Sequence, residues 1–294
     1  MKPAFTAFYD LALGPVSFDF VTWLVRAMRE RDKAGCGALH VVIVPKEDGL
    51  GGFSRHWGNH DAAAARWRLW RIVIGACPLA EATVTLAQSR AQAELLRHGR
   101  FWWPEERAHM AGWMVEAARR GEAVPELRPT AAAVRYVGAW LNGEKRKVVT
   151  LSIRWQDTDY RRNTSAEDWS KFAQWLEARG YRVVVLDDAN EALSSGRGYA
   201  EMDPDLRLAL YQRAEMNCIG QNGPAILLWH SAAPFLYFNA ALPADPYAAH
   251  WEKHLGLRKG DQLPWAAANQ RLVYREDTFE NMTEEFAKWA GATN

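Results

Sequence analysis

The sequence predicts an α/β protein with two Rossmann-like domains in tandem, each built on a parallel sheet, and three observations predict it. Short apolar runs rich in β-branched residues recur, as in Leu39–Val44 (LHVVIV) and Val148–Ile153 (VVTLSI), each the length of a buried strand. These runs alternate with segments of helical period, the pattern of βαβ units. The alternation proceeds as far as Asn142–Lys147 and then begins again, which divides the chain into an N-terminal domain, 1–143, and a C-terminal domain, 144–294.

In the first half, Phe5–Tyr9 reads as a strand broken by Gly14-Pro15. Ser17 then caps a helix whose apolar face is Phe20, Val21, Leu24, Val25 and Met28. Leu39–Val44 ends at Pro45, and Lys46–Asn59 is a glycine-rich loop. A helix over Ala62–Ile74, a strand over Ala82–Leu86 and a helix over Arg90–His98 follow. Phe101–Pro129 is irregular apart from a helical run over Glu105–Arg120, and Thr130–Leu141 is helical up to the Asn142-Gly143 stop.

In the second half, Val148–Ile153 leads through a polar loop to a helix capped by Ser165, with Trp169, Phe172, Ala173 and Leu176 inward and Gly180 at its end. Strands at Arg182–Leu186, Asn217–Gly220, Phe235–Phe238 and Arg271–Arg275 alternate with helices at Pro204–Ala214 and Ala225–Ser231. An amphipathic helix over Asp277–Ala290 closes the chain.

Composition narrows the function. Apolar residues make up 49% of the 294, enough for a sizeable core, and the net charge of +1 supplies no field for nucleic acid. No apolar run reaches membrane-span length and the first ten residues do not form a signal peptide, so a cytoplasmic location is expected, with peripheral membrane contact left open. Cys36, Cys77 and Cys218 form no paired motif and read as small buried hydrophobes. No metal-binding motif stands out: His56/His60 and His250/His254 have the spacing but lack a third ligand.

Two stretches carry the chemistry. Arg154 stands at the carboxyl end of the Val148–Ile153 strand, followed by Trp155, Arg161, Arg162 and Asn163. Guanidinium forks match phosphate oxygens, and in open α/β sheets ligands bind at this edge. The alternative is ion pairing with the interleaved Asp157, Asp159 and Glu167. Trp155 is the tryptophan nominated for base or sugar stacking. Gln221-Asn222-Gly223-Pro224 is a tight turn opening a helix, where freed N–H groups favour an anion. A purely structural turn reads equally well.

With Ser152-Ile153-Arg154 after a strand and Gln221-Asn222-Gly223-Pro224 before a helix, the second half resembles the donor-binding domain of GT-B glycosyltransferases of the heptosyltransferase and fucosyltransferase-like branches. The resemblance implies a metal-independent enzyme without a cofactor, which takes a nucleoside diphosphate sugar as donor between two Rossmann-like domains. It also implies a closing helix that returns toward the first domain. The acceptor, whether glycan, lipid-linked or small molecule, is not given.

An inverting enzyme of this kind needs a base in the first half. Asp10 at a strand end, Asp19 at a helix start, and His56 and His60 beside the glycine-rich loop are the candidates, and the sequence does not separate them. Arg55 in the same loop is a candidate for holding an anionic acceptor. A nucleotide-sugar epimerase and a non-catalytic nucleotide-sugar or glycan-binding protein are the competing readings.

Overall fold

Strands form where the sequence concentrates its β-branched runs. The computed structural model describes residues 2–46, 66–155, 162–188, 203–240 and 246–292. In the first half β1 (Phe5–Asp10), β2 (Leu39–Val44), β3 (Ala82–Leu86) and β4 (Arg100–Trp102) make a sheet of order β3-β2-β1-β4. In the second, β5 (Val148–Ile153), β6 (Arg182–Asp187), β7 (Met216–Ile219), β8 (Phe235–Tyr237) and β9 (Gln270–Leu272) make a sheet of order β6-β5-β7-β8-β9. Every pairing is parallel. β4 lies in the stretch expected to be irregular. It is three residues long and stands in the sheet only by pairing with Phe5–Ala7, so local periodicity could not reveal it.

The helices are α1 (Asp19–Lys33), α2 (Arg90–Leu95), α3 (Gly112–Arg119), α4 (Ala131–Trp140), α5 (Ala166–Glu177), α6 (Pro204–Arg213), α7 (Ala225–Trp229), α8 (Pro246–Leu255) and α9 (Phe279–Ala292). Ser165 caps α5 as expected, its side chain accepting from the N–H of Asp168 at 3.2 Å, and Gly180 takes φ +83° beyond the helix end. Ser17 does not cap α1. Phe18 holds the cap position, and Ser17 Oγ donates to Asp19 Oδ2 at 2.8 Å. Leu69–Ile74, within the expected Ala62–Ile74 helix, widens to a π-helix. The glycine-rich loop, with Arg55, His56 and His60, lies outside the described residues.

Strand parity sorts the core into three layers. In β1 and β2, Phe5, Ala7, Tyr9, Leu39, Val41 and Ile43 join the central cluster, while Phe8, Val42 and Val44 face outward with Ala93 of α2. In β8, Phe235 and Tyr237 join the central cluster, and Leu236 faces the opposite layer. One continuous apolar layer thus lies between the two sheets, with α1, α6 and α7 in it. Helix α4, although it precedes the expected boundary, packs against α6 of the second half.

The outer face of the second sheet is covered by α5 and α9. The closing helix, expected to return toward the first half, instead seats Phe286 against Phe172, Trp175 and Tyr181. Its apolar face, Met282, Phe286 and Trp289, belongs to that outer cluster. All three cysteines are buried and unpaired. No helix among the described residues is long and apolar enough to cross a membrane.

The middle layer also contains an imidazole. His230 is buried at the end of α7; its Nε2 lies 3.1 Å from Thr22 Oγ1 of α1, and its carbonyl accepts from Leu127 N–H at 2.8 Å. Burial lowers its pKa to about 3. The unfolded chain therefore binds a proton below pH 6.5 that the folded chain refuses. Stability is expected to fall as the pH drops from 6.5 toward 3, by at most about 1.4 kcal/mol per pH unit from this group. Urea unfolding from pH 8 to pH 4 checks this, and a His230→Gln chain should show a shallower loss.

Candidate functional site

Each sheet changes direction once, and the residues with chemistry gather at those two places. In the first sheet the chain runs outward from β1 to β2 and β3, then returns to lay β4 on the other side of β1. In the second it runs from β5 to β6, then places β7 on the other side of β5. The carboxyl ends flanking such a switch diverge and leave a crevice.

At the first switch point, Asp10 ends β1 and is 5% exposed. Arg90 binds it through both nitrogens, Nη1 to Oδ1 at 2.9 Å and Nη2 to Oδ2 at 2.7 Å. Trp103 Nε1 donates to it at 3.3 Å and the N–H of Ala12 at 2.9 Å. Asp10 thus holds the β1 turn, α2 and the segment after β4 together, and its lone pairs are committed.

Asp19, half-buried at the first residue of α1, takes only the hydroxyl of Ser17. It influences two neighbours. Tyr9, whose hydroxyl donates to the Pro15 carbonyl at 2.6 Å, is raised well above its ordinary pKa by burial and then by Asp19. The His109 pKa is lowered by burial, against the opposing pull of Asp19, which leaves a neutral imidazole at pH 7. Tyr9, Asp10, Gly14, Trp23 and His109 line a cavity of about 10 Å³, room for roughly one water.

At the second switch point, Arg154 follows β5 and is 4% exposed. Its N–H and carbonyl both bond Thr164, which closes the intervening loop at its base. Its Nη1 donates to Asn163 Oδ1 at 2.6 Å. Arg162 Nε donates to the Gln221 carbonyl at 3.2 Å, and Gln221 Nε2 to the Asn239 carbonyl at 2.6 Å. The two sequence stretches, Arg154–Asn163 and Gln221–Pro224, therefore meet. Trp155 is 58% exposed beside Arg154. Arg161, Asp157 and Asp159 lie outside the described residues.

The Asn222 turn differs from its expected form. Helix α7 has five residues, and the N–H groups of Ala225, Ile226 and Leu227 bond back to the carbonyls of Asn222, Gly223 and Pro224. Those amides are spent inside the turn and do not form an anion cradle.

Beneath the site lies a polar network that the motif reading does not include. Asp188, just past β6, accepts from Arg207 Nη1 at 2.6 Å and Nη2 at 3.0 Å, and from Asn222 Nδ2 at 2.7 Å. Arg207 Nε reaches the Tyr211 hydroxyl at 2.7 Å, and Ser152 Oγ lies 2.8 Å from that hydroxyl. Burial raises the Asp188 carboxyl and Arg207 pulls it back down. The available signal was parity: Thr150 and Ser152 interrupt β5 at alternate positions, and Arg207 sits inside the apolar run of α6. His109 carried no sequence signal.

The two switch points approach each other. A Cβ on Gly223 would lie 3.2 Å from the Phe18 ring, and Phe18 precedes Asp19. The segment leading into Asp19 from one half and the Asn222–Pro224 turn from the other thus lie side by side. Among the described residues no group of three or more His, Cys, Asp or Glu side chains could hold a metal ion.

The fold is similar to that of solved structures. Escherichia coli ADP-heptose LPS heptosyltransferase II aligns over 98% of this chain and 98% of its own, with a TM-score of 0.55 and 12% identity. The chain has the GT-B fold. A family 9 glycosyl transferase from Veillonella parvula aligns over 97% of this chain and 91% of its own, with a TM-score of 0.49 and 10% identity. The E. coli heptosyltransferase WaaC with ADP-2-deoxy-2-fluoro heptose gives 97% and 99%, with a TM-score of 0.45 and 14% identity. No protein-family model and no curated protein sequence matches the chain.

The close approach at the cleft is testable. Gly223→Ala must displace Phe18, and it is expected to lower stability by about 1 kcal/mol, within the range for overpacking. In a Phe18→Ala background the same substitution should cost less, and a double-mutant cycle by chemical denaturation measures the difference.

Proposed function

We propose that the chain is a glycosyltransferase that moves a sugar from a nucleoside diphosphate sugar, held at the second switch point, to an acceptor hydroxyl at the first. The observation that carries this reading is a buried arginine at the carboxyl edge of the second sheet, Arg154, bonded to the segment whose Arg162 meets the Gln221–Pro224 turn, a turn that itself abuts Phe18, the residue before Asp19. In the reaction, Asp19 takes the proton of the acceptor hydroxyl. The acceptor oxygen bonds to the anomeric carbon as the bond from that carbon to the diphosphate oxygen breaks, and the electron pair leaves on the diphosphate. Arg154 and Arg162 stabilise that developing charge. Trp155 offers a stacking face for the base or sugar. Asp19 is preferred to Asp10 as base because Asp10 already neutralises Arg90. His109, held neutral beside Asp19, is the nearby group able to accept the proton onward.

The solved relative with the 0.55 TM-score is named for ADP-heptose, so ADP and its sugar conjugates head the ligand panel, followed by GDP, UDP and theirs. One nucleoside diphosphate is expected to stabilise the protein in thermal unfolding, by about 2.7 kcal/mol at a hundredfold excess over its Kd. Arg154→Ala should weaken that ligand at least tenfold, in keeping with loss of a charge-assisted contact. Asp19→Asn should leave binding within about threefold while slowing release of nucleoside diphosphate from the donor by roughly 10²–10⁴. No stabilisation by any member of the panel would sink the reading. Conversion of the donor to its epimer without release would replace transfer with epimerisation.

A further inference from the structure

Asn222 is held in one orientation by a chain of buried contacts, and that orientation leaves one atom unused. The side chain is 6% exposed, its Nδ2 donates to Asp188 Oδ2 at 2.7 Å, and its Oδ1 has no hydrogen-bond partner. Flipping the amide would set its oxygen against the carboxylate, so only this assignment is consistent with the neighbour. Asp188 is fixed in turn by Arg207, which is 0% exposed. Besides its two bonds to Asp188, Arg207 donates to Tyr211 Oη at 2.7 Å and to Ser152 Oγ at 3.2 Å. Native structures rarely leave a buried acceptor unpaired, and one that persists needs an explanation. This one sits beside Gly223, the residue of the same turn that abuts Phe18 of the first half.

The chemistry of the missing partner follows. An amide oxygen accepts and cannot donate, so a phosphate oxygen does not complete it. The adjacent N–H groups of Ala225, Ile226 and Leu227 are bonded within the turn, so none of those three is left for a phosphate. We propose that Asn222 Oδ1 accepts a hydrogen bond from a hydroxyl or N–H group of the nucleoside diphosphate sugar, and that Arg207 is the positioning residue that aims it through Asp188. This rests on the donor-site reading above and deepens it. The diphosphate falls to Arg154 and Arg162, and the Asn222 turn reads a neutral, hydrogen-donating part of the same molecule. A ligand without that group leaves the acceptor buried and unpaired, which makes Asn222 a source of selectivity.

Calorimetry on the full chain tests it, with ADP, GDP, UDP, ADP-glucose, GDP-mannose and UDP-glucose as probes and the ligand-free Tm as a folding control. Asn222→Ala is expected to fold and to weaken the best probe by about tenfold, the worth of one hydrogen bond. A loss confined to the sugar conjugate places the donating group on the sugar. An equal loss with the free nucleoside diphosphate places it on the ribose or base. Arg207→Lys should give a similar loss, and the double variant should lose little more than either alone, because both act through one contact.

The 188–222 contact has a ligand-free readout as well. Asn222→Asp faces two carboxylates and should lower Tm more than Asn222→Ala does, with Asp188→Asn in the same chain restoring part of it. Unchanged affinity in Asn222→Ala, with a wild type that binds, overturns this inference alone. A wild type that binds no probe overturns the donor-site reading and this inference together. An Asn222→Asp chain as stable as the wild type removes the positioning role of Arg207.

Discussion

Everything at the cleft depends on one apolar layer shared by two sheets. A parallel sheet has to be covered on both faces, because its connections cross over it as helices. Here the inward faces of both sheets are covered from a common layer containing α1, α6 and α7. Trp23 and Phe20 of α1 pack with Tyr9, while Leu227 and Leu228 of α7 join the same cluster. Because the layer is continuous, the carboxyl edge of one sheet has a set position relative to the other. That is why Phe18 and Gly223, two hundred residues apart in order of magnitude, come within van der Waals contact. The site is a by-product of how two sheets share a core.

Within that apolar layer the second sheet buries polar groups. Thr150 bonds Asn217 at 2.6 Å, and Ser152, Tyr211, Arg207 and Asp188 form a closed set next to it. Apolar residues of the same shape would often serve stability as well or better, since desolvating an ion pair offsets most of its attraction. What an apolar replacement cannot do is fix direction. The fork of Arg207 sets the plane of the Asp188 carboxylate, and the carboxylate sets the Asn222 amide. Geometry of that kind is what a binding edge requires from its support.

The sequence was legible where local patterning and tertiary structure agree. β2, β3 and β5 have the ends that their β-branched runs predict, and Ser165 and Gly180 bracket α5 as cap and stop. It was illegible where the deciding partner is distant. β4 exists through Phe5–Ala7, and α9 chose its face through Phe172 and Trp175. The same distinction divides the site. Arg154 announced itself by standing at a strand end, but the commitment of Asp10 required Arg90, eighty positions away. A polar residue at an alternate position of a buried strand, as at Thr150 and Ser152, was the one overlooked local signal, because it needs a buried partner that the strand alone does not name.

Two carboxylates at one sheet edge show how environment assigns roles. Asp10 and Asp19 lie nine residues apart on either side of the same turn, by the numbering of the chain. Asp10 receives a guanidinium fork, an indole N–H and a backbone N–H, so its charge is balanced and its geometry frozen. Asp19 accepts from the Ser17 hydroxyl at the start of α1, and no arginine or lysine among the described residues pairs with it. The first arrangement holds a fold; the second is the one that the proposed reaction draws on for its base. In the second half, Arg154 donates to an amide oxygen and Arg162 to a backbone carbonyl, among their contacts. A carboxylate at the start of α1 and guanidinium groups beyond β5 thus belong to different halves of the chain, which meet at Phe18 and the Gly223 turn.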